Sequence, residues 1–528
     1  MKKNVLALSI AAMIGGLGFA GAASADVVQG TGGPGNLTLT NATDLVFAEG
    51  GIGHALIVPY FNAQNGNMTV MHVVNTDTVN GKAVKVRFRG ALNSDDILDF
   101  QVFMSPGDVW TAAVTAGADG VAQIMTADVS CTLPKLAKGV SQSFVTDRLN
   151  PALSVADKAN NTREGYVEIF NMADVPPVLR TTGAVNPLFT TIKHVNGVAP
   201  CSDTVLNATL NNFTTQATAG AAGFDTPSTG LMGDWYIMNV AQTTTFSAGA
   251  TAIRAQVAGI DGNGNFMHFP QNANSADNVN AATADPLFRT ADVYTGANVA
   301  ATSLPKIAAA NYDLPDMSTP FFGVNPRAQA VQLSDALAVM SISNQYANDA
   351  TISAKTDWVF SMPTRRYNVA ANYAAATTTA SDYRLFTDLR AAAAGVADER
   401  FSHTNTSVVN GAICVNANSQ TFYDREETTR TAGAVFSPGT VAKTGFCGET
   451  SVLSFADSGV SVLGGSVARQ NVSGVYVNGW SNIDVANGGF GLPVLGASFI
   501  KLSNPQATVG TSGTYGITWP HRFVRFVP

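Results

Sequence analysis

Hydrophobic and polar residues alternate along much of the chain. In the segment 81–90, GKAVKVRFRG, valine or phenylalanine alternates with a basic row formed by Lys85, Arg87 and Arg89. Alternation with a period of two places successive side chains on opposite faces of a β-strand. The segment therefore predicts a strand whose valine and phenylalanine side chains face a core and whose basic row faces solvent on the other side.

The next segment, ILDFQVFM (97–104), is predicted to pair back against this strand as a hairpin. In that arrangement Asp99 offsets part of the basic row across the two strands. An exposed cross-strand pair of this kind contributes less than about 1 kcal/mol to stability. The basic row is then interpreted first as the solvated face of an amphipathic hairpin.

Other segments rich in β-branched and aromatic residues, bounded by Gly, Asn or Asp, also predict strands. They lie at 54–61, 68–76, 82–90, 97–104, 108–115, 164–172, 233–240, 249–257, 357–363, 412–417, 420–426, 472–480, 497–503 and 514–526. Short strands at close spacing favour an all-β fold of antiparallel, immunoglobulin-like β-sandwich domains. Long Ala/Thr/Asn/Gly-rich loops and a few short helices, two of them capped by Ser334 and Ser381, are expected between the strands.

The first residues predict a secretory signal peptide. Lys2 and Lys3 precede an apolar run that ends in small residues at 23–25, which is the pattern of a cleaved leader over 1–25. Composition divides the rest into an N-terminal β-sandwich domain (26–260), a loop-rich connecting region (261–345) and a C-terminal β-sandwich region (346–528) that can pack with the first domain.

Charge and hydropathy narrow the classes of function. Removal of the two leader lysines leaves 28 basic and 37 acidic residues, so the formal net charge moves from -7 to -9. Proteins that bind nucleic acid normally carry a basic excess that displaces counterions from phosphates, so this class is disfavoured. No later segment has about 18 uninterrupted apolar residues, so no membrane-spanning helix is predicted.

Four cysteines in an exported chain are expected to form disulfides. They allow three pairings. The pairing Cys131–Cys201 and Cys414–Cys447 is preferred because it keeps each bridge within one half of the chain. No pair has CxxC spacing, so neither a zinc site nor a thioredoxin-like site is indicated.

The sequence contains few of the motifs that mark a catalytic site. The six histidines are isolated, without HxH, HxxH or HExxH spacing, and no GxSxG elbow is present. No catalytic residue is therefore predicted and the chain is not expected to be an enzyme. A secreted hydrolase remains an open alternative, because a Ser-His-Asp triad can assemble from distant positions.

Calcium is the one cofactor with some support in the sequence. In AGIDGNGNFMHF, the oxygen-bearing residues Asp261, Asn263 and Asn265 stand at alternate positions, as at the start of a calcium loop. The sixth and twelfth positions of that loop are Phe266 and Asn272, so the EF-hand pattern fails. A turn formed by Asn-Gly without metal is the preferred interpretation, and the three residues are weak calcium candidates.

Several segments together resemble one family of exported proteins. The longest runs from GGIGHALIVPYF to MSPGDVWTA (50–112), and the others are REGYVEIFNMAD (163–174), LMGDWYIMNV (231–240), DWVFSMPTRR (357–366), GLPVLGASF (491–499) and YGITWPHRFVRF (515–526). They resemble cell-surface proteins of Gram-negative bacteria, including surface-layer proteins of the Comamonadaceae type. Some of these are associated with tubular surface extensions called nanopods.

The resemblance implies a secreted structural protein that assembles with itself into a layer or sheath outside the outer membrane. It also implies calcium and lipopolysaccharide as partners, although no residue here matches a known ligand. The basic row Lys85, Arg87 and Arg89 then becomes a candidate contact with an acidic patch on a neighbouring copy or with lipopolysaccharide phosphate. The alternative is a secreted adhesin or glycan-binding β-sandwich that uses exposed aromatic residues, such as Trp480 and Tyr515.

Overall fold

The segments of alternating pattern form antiparallel strands in the computed structural model of the protein. The structure describes residues 28–29, 42–211, 216–268, 326–373, 375, 377, 383–386, 400–431, 445–455, 461–472, 476–487, 489–504, 508 and 513–526. The predicted signal peptide at 1–25 lies outside these residues, as does the predicted cap Ser381. Below, the N-terminal half means the described residues up to 268, and the C-terminal half those from 326 onwards.

Each segment predicted as a strand overlaps a strand of the structure, and the all-β class is confirmed. The strands of the N-terminal half are β1 Val28–Gln29, β2 Asp44–Ala48, β3 Ile52–Gly53, β4 Ala55–Asn62, β5 Asn67–Asn75, β6 Gly81–Gly90, β7 Asp96–Met104, β8 Val109–Ala116, β9 Ala122–Thr126, β10 Cys131–Leu133, β11 Gln142–Ser143, β12 Glu164–Val175, β13 Leu231–Asn239, β14 Thr244–Gly249, β15 Thr251–Val257, β16 Ile260–Asp261 and β17 Met267–His268.

The C-terminal half continues with shorter strands. They are β18 Ala338–Ala347, β19 Lys355–Ser361, β20 Val369–Ala371, β21 Arg384–Phe386, β22 Thr406–Val409, β23 Ala412–Asn416, β24 Ser419–Tyr423, β25 Thr429–Thr431, β26 Gly445–Cys447, β27 Thr450–Ser454, β28 Arg469–Asn471, β29 Asn478–Asp484, β30 Leu492–Pro493, β31 Leu495–Ser503, β32 Thr514–Pro520 and β33 Arg522–Arg525.

The described helices are short and connect or cover the sheets. They are α1 Val155–Asn161, α2 Pro187–Ile192, α3 Asp203–Asn211, α4 Gln216–Ala221 and α5 Pro326–Leu337. Ser154 caps α1 by accepting the Asp157 backbone N–H at 3.1 Å. The helix start predicted at Ser334 is wrong: Ser334 lies inside α5, and the apolar residues that follow it form β18.

Two large sheets make up the N-terminal half. Among the described residues, sheet I has eight strands in the order β10-β7-β6-β12-β4-β15-β16, with β2 also paired to β15. Sheet II has seven, in the order β11-β9-β8-β5-β13-β14, with β3 paired to β13. Val84, Val86 and Phe88 of β6 pack in one core with Trp110 and Trp235 of sheet II, as the alternation predicts.

Two further sheets organise the C-terminal half. In the part of the chain that is described, sheet III contains six strands, β25-β24-β29-β18-β30 with β33 paired to β18, and sheet IV contains five, β28-β27-β19-β31-β32. Trp358 and Phe360 of β19 pack toward Ile483 of sheet III. The opposite face of sheet IV joins the core of the N-terminal half, where the Phe499 ring lies 5.5 Å from the Phe246 ring.

Sheet I is covered on both faces. Its second face packs Tyr166 and Phe170 of β12 against Leu188 of α2, Leu333 of α5 and Tyr367 of the C-terminal half. All ten residues of β6 and all twelve of β12 are buried as a result. Sheet I is therefore a central layer rather than the wall of a simple two-layer sandwich.

The disulfides have the predicted pairing. Cys131 of β10 is bonded to Cys201, which precedes α3, so this bridge ties an edge strand of sheet I to the helical cover. Cys414 and Cys447 lie directly opposite each other on β23 and β26 and are bonded. Each bridge stays within one half of the chain.

Two buried histidines, each in its neutral form, hydrogen-bond to the backbone of neighbouring segments. His54 Nε2 lies 2.9 Å from the Gly262 carbonyl, and its Nδ1 accepts the Ala255 N–H at 3.1 Å. His521 Nε2 lies 2.9 Å from the Val359 carbonyl. Because burial disfavours the charged ring, the pKa of His54 is lowered to about 4 and that of His521 to about 3.

The lowered pKa values of these two histidines predict that the protein loses stability on mild acidification. The unfolded chain takes up a proton near pH 6.5 while the folded rings stay neutral, so the free energy of unfolding falls from about pH 6.5 down to about pH 4. Each ring contributes a loss on the order of 3 kcal/mol by pH 4. The measurement is urea unfolding between pH 7.5 and pH 4 for the wild type and for His54→Gln, whose amide does not titrate. We expect a shallower pH slope for the variant; an unchanged slope would contradict the assignment of this acid sensitivity to His54.

Candidate functional site: a buried charge network between the two halves

The basic row of β6 is buried. Lys85, Arg87 and Arg89 keep 1%, 0% and 0% of their surface exposed. They do lie on the face of β6 opposite the valine and phenylalanine side chains, as predicted. The prediction that this face meets solvent is wrong, because helices and part of the C-terminal half form a second layer over it. The basic row therefore offers no exposed surface to a neighbouring copy or to lipopolysaccharide.

The first two members of the row are paired within the predicted hairpin. Lys85 Nζ lies 2.7 Å from Asp99 Oδ1, and Arg87 Nε lies 3.4 Å from Asp96 Oδ2. Both carboxylates belong to β7, which runs antiparallel to β6. The pair with Asp99 was predicted, but it is largely buried rather than exposed, so solvent screens it much less.

Glu168 of β12 is the centre of the network. Its two carboxylate oxygens contact two guanidinium groups: Oε2 lies 3.3 Å from Arg89 Nε, and Oε1 lies 3.0 Å from Arg366 Nη2. Arg366 comes from a 3-10 turn in the C-terminal half, 198 residues further along the chain. One buried carboxylate therefore joins a strand of sheet I to the other half of the protein.

The same turn carries a second ion pair. Arg365 Nε lies 2.6 Å from Glu449 Oε2, and both side chains are buried. The Glu449 backbone N–H donates to the Ala91 carbonyl at 2.8 Å, just beyond the end of β6. Side-chain and backbone contacts thus fix the turn at 365–367 against sheet I from two directions.

The acidic turn after β6 also faces the C-terminal half. Asp95 is buried and accepts hydrogen bonds from the Tyr373 hydroxyl, 2.8 Å from each carboxylate oxygen. Burial, together with the negative charge of Asp95, raises the pKa of Tyr373 well above its ordinary value, so the phenol remains a donor. Asn93 Nδ2 donates to the Gly411 carbonyl at 2.8 Å. This turn is an attachment point, not the solvated turn that adjacent acidic residues suggest.

A second polar contact lies at the start of β12. Glu164 accepts hydrogen bonds from the Tyr60 hydroxyl at 3.0 Å, from Gln64 Nε2 at 2.9 Å, and from the backbone N–H of Ser466 at 2.7 Å. Burial, together with the negative charge of Glu164, raises the pKa of Tyr60 well above its ordinary value. The loop around Ser466 is thereby held on sheet I by a carboxylate some 302 residues earlier.

The ion pairs described above join elements of the same chain, including its two halves. We define the charge network as three acidic residues of the N-terminal half, one of the C-terminal half and the five bases they pair with: Asp96, Asp99, Glu168, Glu449, Lys85, Arg87, Arg89, Arg365 and Arg366. Since a substrate must reach catalytic groups, burial of this network favours a structural role for the network over a catalytic one. A cavity of about 590 Å³ lies in another part of the protein, where β2, α5 and Arg525 meet.

The sequence analysis did not predict most of the pairs in the charge network. The segment REGYVEIFNMAD places Glu164, Tyr166 and Glu168 on alternate positions, which complements the alternation of the basic row. That complementarity was the available signal for pairing β12 with β6. Nothing in DWVFSMPTRR indicated that Arg365 and Arg366 would reach across to the first half.

One group in the structure has the composition of a catalytic triad but not its geometry. Ser105 Oγ lies 3.2 Å from His194 Nδ1, and Asp108 Oδ2 lies 3.6 Å from the same ring nitrogen. A triad needs the hydroxyl on one ring nitrogen and the carboxylate on the other, so that the ring can pass a proton between them. This cluster therefore does not support the hydrolase alternative.

The three weak calcium candidates lie in different surroundings. Asp261 is exposed at the end of β16, 3.6 Å from Arg254, whereas Asn265 is fully buried. The backbone of this loop is hydrogen-bonded to a core residue, since the Asn263 carbonyl accepts the Ala42 N–H at 3.1 Å. Over the described parts of the chain, no group of three or more His, Cys, Asp or Glu side chains could hold a metal ion.

The fold and the site define a disulfide-bonded, all-β sandwich protein whose two halves share a buried charge network. Comparison of the chain with known protein families, with curated proteins and with solved structures gives no match. Among the residues described, no helix combines the length and apolar character needed to cross a membrane.

Neutralising the centre of the network is predicted to destabilise the protein strongly. Glu168→Gln keeps the shape of the side chain but removes the negative charge that contacts two buried guanidinium groups, and breaking a buried ion pair in this way costs about 3–5 kcal/mol. The matched control is Asp261→Asn, which breaks the partly exposed pair with Arg254 and costs less than about 1 kcal/mol. Urea unfolding at pH 7.5 measures both. Equal, small effects would show that Glu168 does not anchor the two halves.

Proposed function

We propose that this chain is a structural protein of the bacterial cell surface that assembles with copies of itself into a layer or sheath outside the outer membrane. The observation that carries the proposal is a set of exposed apolar side chains on the last two strands, called the apolar strip below. Tyr515 and Trp519 of β32 are 61% and 45% exposed, and Phe523 and Val524 of β33 are 39% and 61% exposed. Large apolar side chains grouped at a surface mark a place of association.

Aromatic residues suit a lateral contact between copies. Tryptophan and tyrosine bury a large area with few rotatable bonds, and they dominate the binding energy of many interfaces. Tyr515 and Trp519 lie on β32 of sheet IV, and Phe523 and Val524 lie on β33 of sheet III. The backbone of β32 lies against the Thr245 carbonyl of β14 at Gly516, so a second copy would contact the exposed side chains and not the edge of the strand.

Two other features support the same proposal. Two disulfides fit an oxidising compartment outside the cytoplasm. The resemblance of the quoted segments to Gram-negative surface-layer proteins supplies the expectation of a leader, of secretion and of self-assembly. Calcium remains a prediction that comes from the resemblance and from the weak candidates Asp261, Asn263 and Asn265. Lipopolysaccharide remains a prediction that comes from the resemblance alone, and its contact is not proposed through the buried basic row.

Disruption of the apolar strip is predicted to abolish assembly while leaving the protomer folded. In Tyr515→Glu/Trp519→Glu, two charges would have to be buried in each contact, so we expect no periodic array on cells and only monomers in sedimentation. The matched control is Val155→Glu on α1, since Val155 is 87% exposed but far from β32 in the chain. Electron microscopy and sedimentation, with and without calcium, are compared for the three proteins.

Two results would count against the proposal. A wild-type protein that stays monomeric, on cells that lack a periodic array, removes the assembly function itself. Arrays formed equally well by wild type and by the double variant leave the function in place but remove the apolar strip as its contact. Circular dichroism of each variant establishes that the protomer is folded.

A secreted adhesin or glycan-binding protein is the second candidate, because of one aromatic pair. The rings of Tyr423 and Trp480 stack 4.1 Å apart with 8° between their planes, and Trp480 is 41% exposed. Gln345 lies directly across from Trp480 in the sheet, and Asn482 with Thr421 forms the next cross-strand pair on the same face. An exposed ring beside neutral amides and hydroxyls suits the apolar face and hydroxyl groups of a sugar.

The second candidate predicts saturable sugar binding that depends on Trp480. On a glycan array, Trp480→Ala should lose about fivefold or more in affinity, since stacking of one ring contributes of the order of 1 kcal/mol or more. Trp519→Ala is the control, because its ring lies on a different sheet. Absence of saturable binding by the wild type would eliminate this function.

A further inference from the structure

A lysine and an aspartate are enclosed together at one end of the sandwich. Lys82 of β6 lies directly opposite Asp174 of β12, and its Nζ is 2.9 Å from Asp174 Oδ1. The Lys82 side chain has 0% of its surface exposed, and that of Asp174 has 6%. This pair is separate from the charge network, because Lys82 and Lys85 point to opposite faces of β6.

The lysine stem is fixed as well as its ammonium. A Cβ at Gly230, whose φ is +125°, would lie 3.3 Å from Lys82 Cε, so the backbone of Gly230 closes over the side chain. Lys82 Nζ also lies 3.1 Å from Ser228 Oγ. Because few rotamers are open to the stem, Nζ is held beside one carboxylate.

Hydrogen-bond donors surround the Asp174 carboxylate. Asn171 Nδ2 donates to Oδ1 at 2.7 Å, the Ser228 N–H donates to Oδ1 at 3.2 Å, and Ser228 Oγ donates to Oδ2 at 2.5 Å. Donors in these positions stabilise a negative oxygen that develops when a nucleophile adds to the carboxyl carbon. The surroundings of Asp174 thus resemble an oxyanion hole as well as a cage for an anion.

A second carboxylate stands beside the ammonium. Asp77 Oδ2 lies 3.8 Å from Lys82 Nζ. Burial raises the pKa of Asp77, but hydrogen bonds from the backbone N–H groups of Asn80 and Val79 outweigh burial and hold that pKa below its ordinary value. Asp77 is therefore ionised at neutral pH. Although its lowered pKa makes it a weak base, it can relay a proton from Nζ to the departing oxygen of Asp174, which frees the lone pair of the amine.

We propose that Lys82 and Asp174 condense into an intramolecular amide that covalently joins β6 to β12. The bond from Nζ to Cγ of Asp174 forms, and one Cγ–O bond of the carboxyl group breaks. The ammonium gives up two protons, and both leave with that oxygen as water, so no oxidant, reductant or co-reactant is consumed. The proposal does not rest on the proposed cell-surface function.

Proximity lowers the barrier that slows this condensation in water. Free amines and carboxylates do not condense appreciably in solution, but groups held in the reacting geometry reach effective molarities of about 10⁵ M or more. Burial of the pair also removes the water that would hydrolyse the amide. The strands on which the two residues stand are adjacent inner strands of sheet I, so the two side chains are already held side by side.

Lys85 provides a control on the same strand. Its Nζ lies 2.7 Å from Asp99 Oδ1, closer than Lys82 to Asp174, but 21% of the Asp99 side chain is exposed. Solvent can reach that carboxylate, and hydrolysis then competes with condensation. We therefore expect the amino group of Lys85 not to form an amide, although it makes the shorter ion pair.

The test is mass spectrometry of the full chain, purified with its disulfides intact. We expect the intact mass to be lower by one water than the mass of the oxidised chain. Trypsin should fail to cleave after Lys82, and residues 164–180, which contain Asp174, should be recovered linked to the peptide that contains Lys82. Cleavage after Lys85 should be normal.

Variants assign the roles of the individual residues. Lys82→Arg and Asp174→Ala should each restore the full mass, and Asp77→Asn should slow appearance of the linked peptide. The wild-type measurement decides the question even if a variant does not fold. A wild-type chain of full mass that is cleaved after Lys82 would overturn the proposal and leave a buried ion pair. A loss of one ammonia with linkage to Asn171, or linkage of Lys85 to Asp99, would overturn it too.

Discussion

Part of the charge buried in this protein is compensated across the two halves of the chain. Sheet I carries a row of basic side chains on a face that another layer covers, and each uncompensated charge there would cost several kcal/mol. Glu168 meets this constraint by holding Arg89 on its own sheet and Arg366 from the C-terminal half. The positions of β6, β12 and the turn at 365–367 all follow from this requirement.

The strands were predictable from the sequence, whereas the layer that covers sheet I was not. Alternation decides which residues of β6 share a face, and this local property placed Val84 and Lys85 on opposite sides. What lies over the second face depends on α2, α5 and Tyr367, which are far away in the chain. A strand with alternating charges looks the same whether solvent or an oppositely charged layer covers it, so the exposure of Arg87 was predicted wrongly.

Helix α5 illustrates a second limit of local reasoning. Ser334 and the apolar residues after it have the pattern of a capped helix, yet Ala338–Ala347 forms β18, which pairs with β29, β30 and β33. Pairing on both sides of a strand outweighs the modest intrinsic preference of Ala, Leu and Met for a helix. The disulfide pairing was predictable because each bridge joins cysteines within one half. Of the charge network, only the contact with Asp99 was predicted, since it belongs to the same hairpin.

The large sequence separation of these contacts has a consequence for how the chain folds during its synthesis. Glu168 is made 198 residues before Arg366, and Glu164 is made 302 residues before Ser466. During synthesis from the N-terminus, sheet I therefore emerges long before the groups that neutralise and cover it. Native contacts between residues so distant in sequence form slowly, because a large loop must close first. Until its last third is available, the growing chain lacks the side chains that neutralise and cover this face of sheet I.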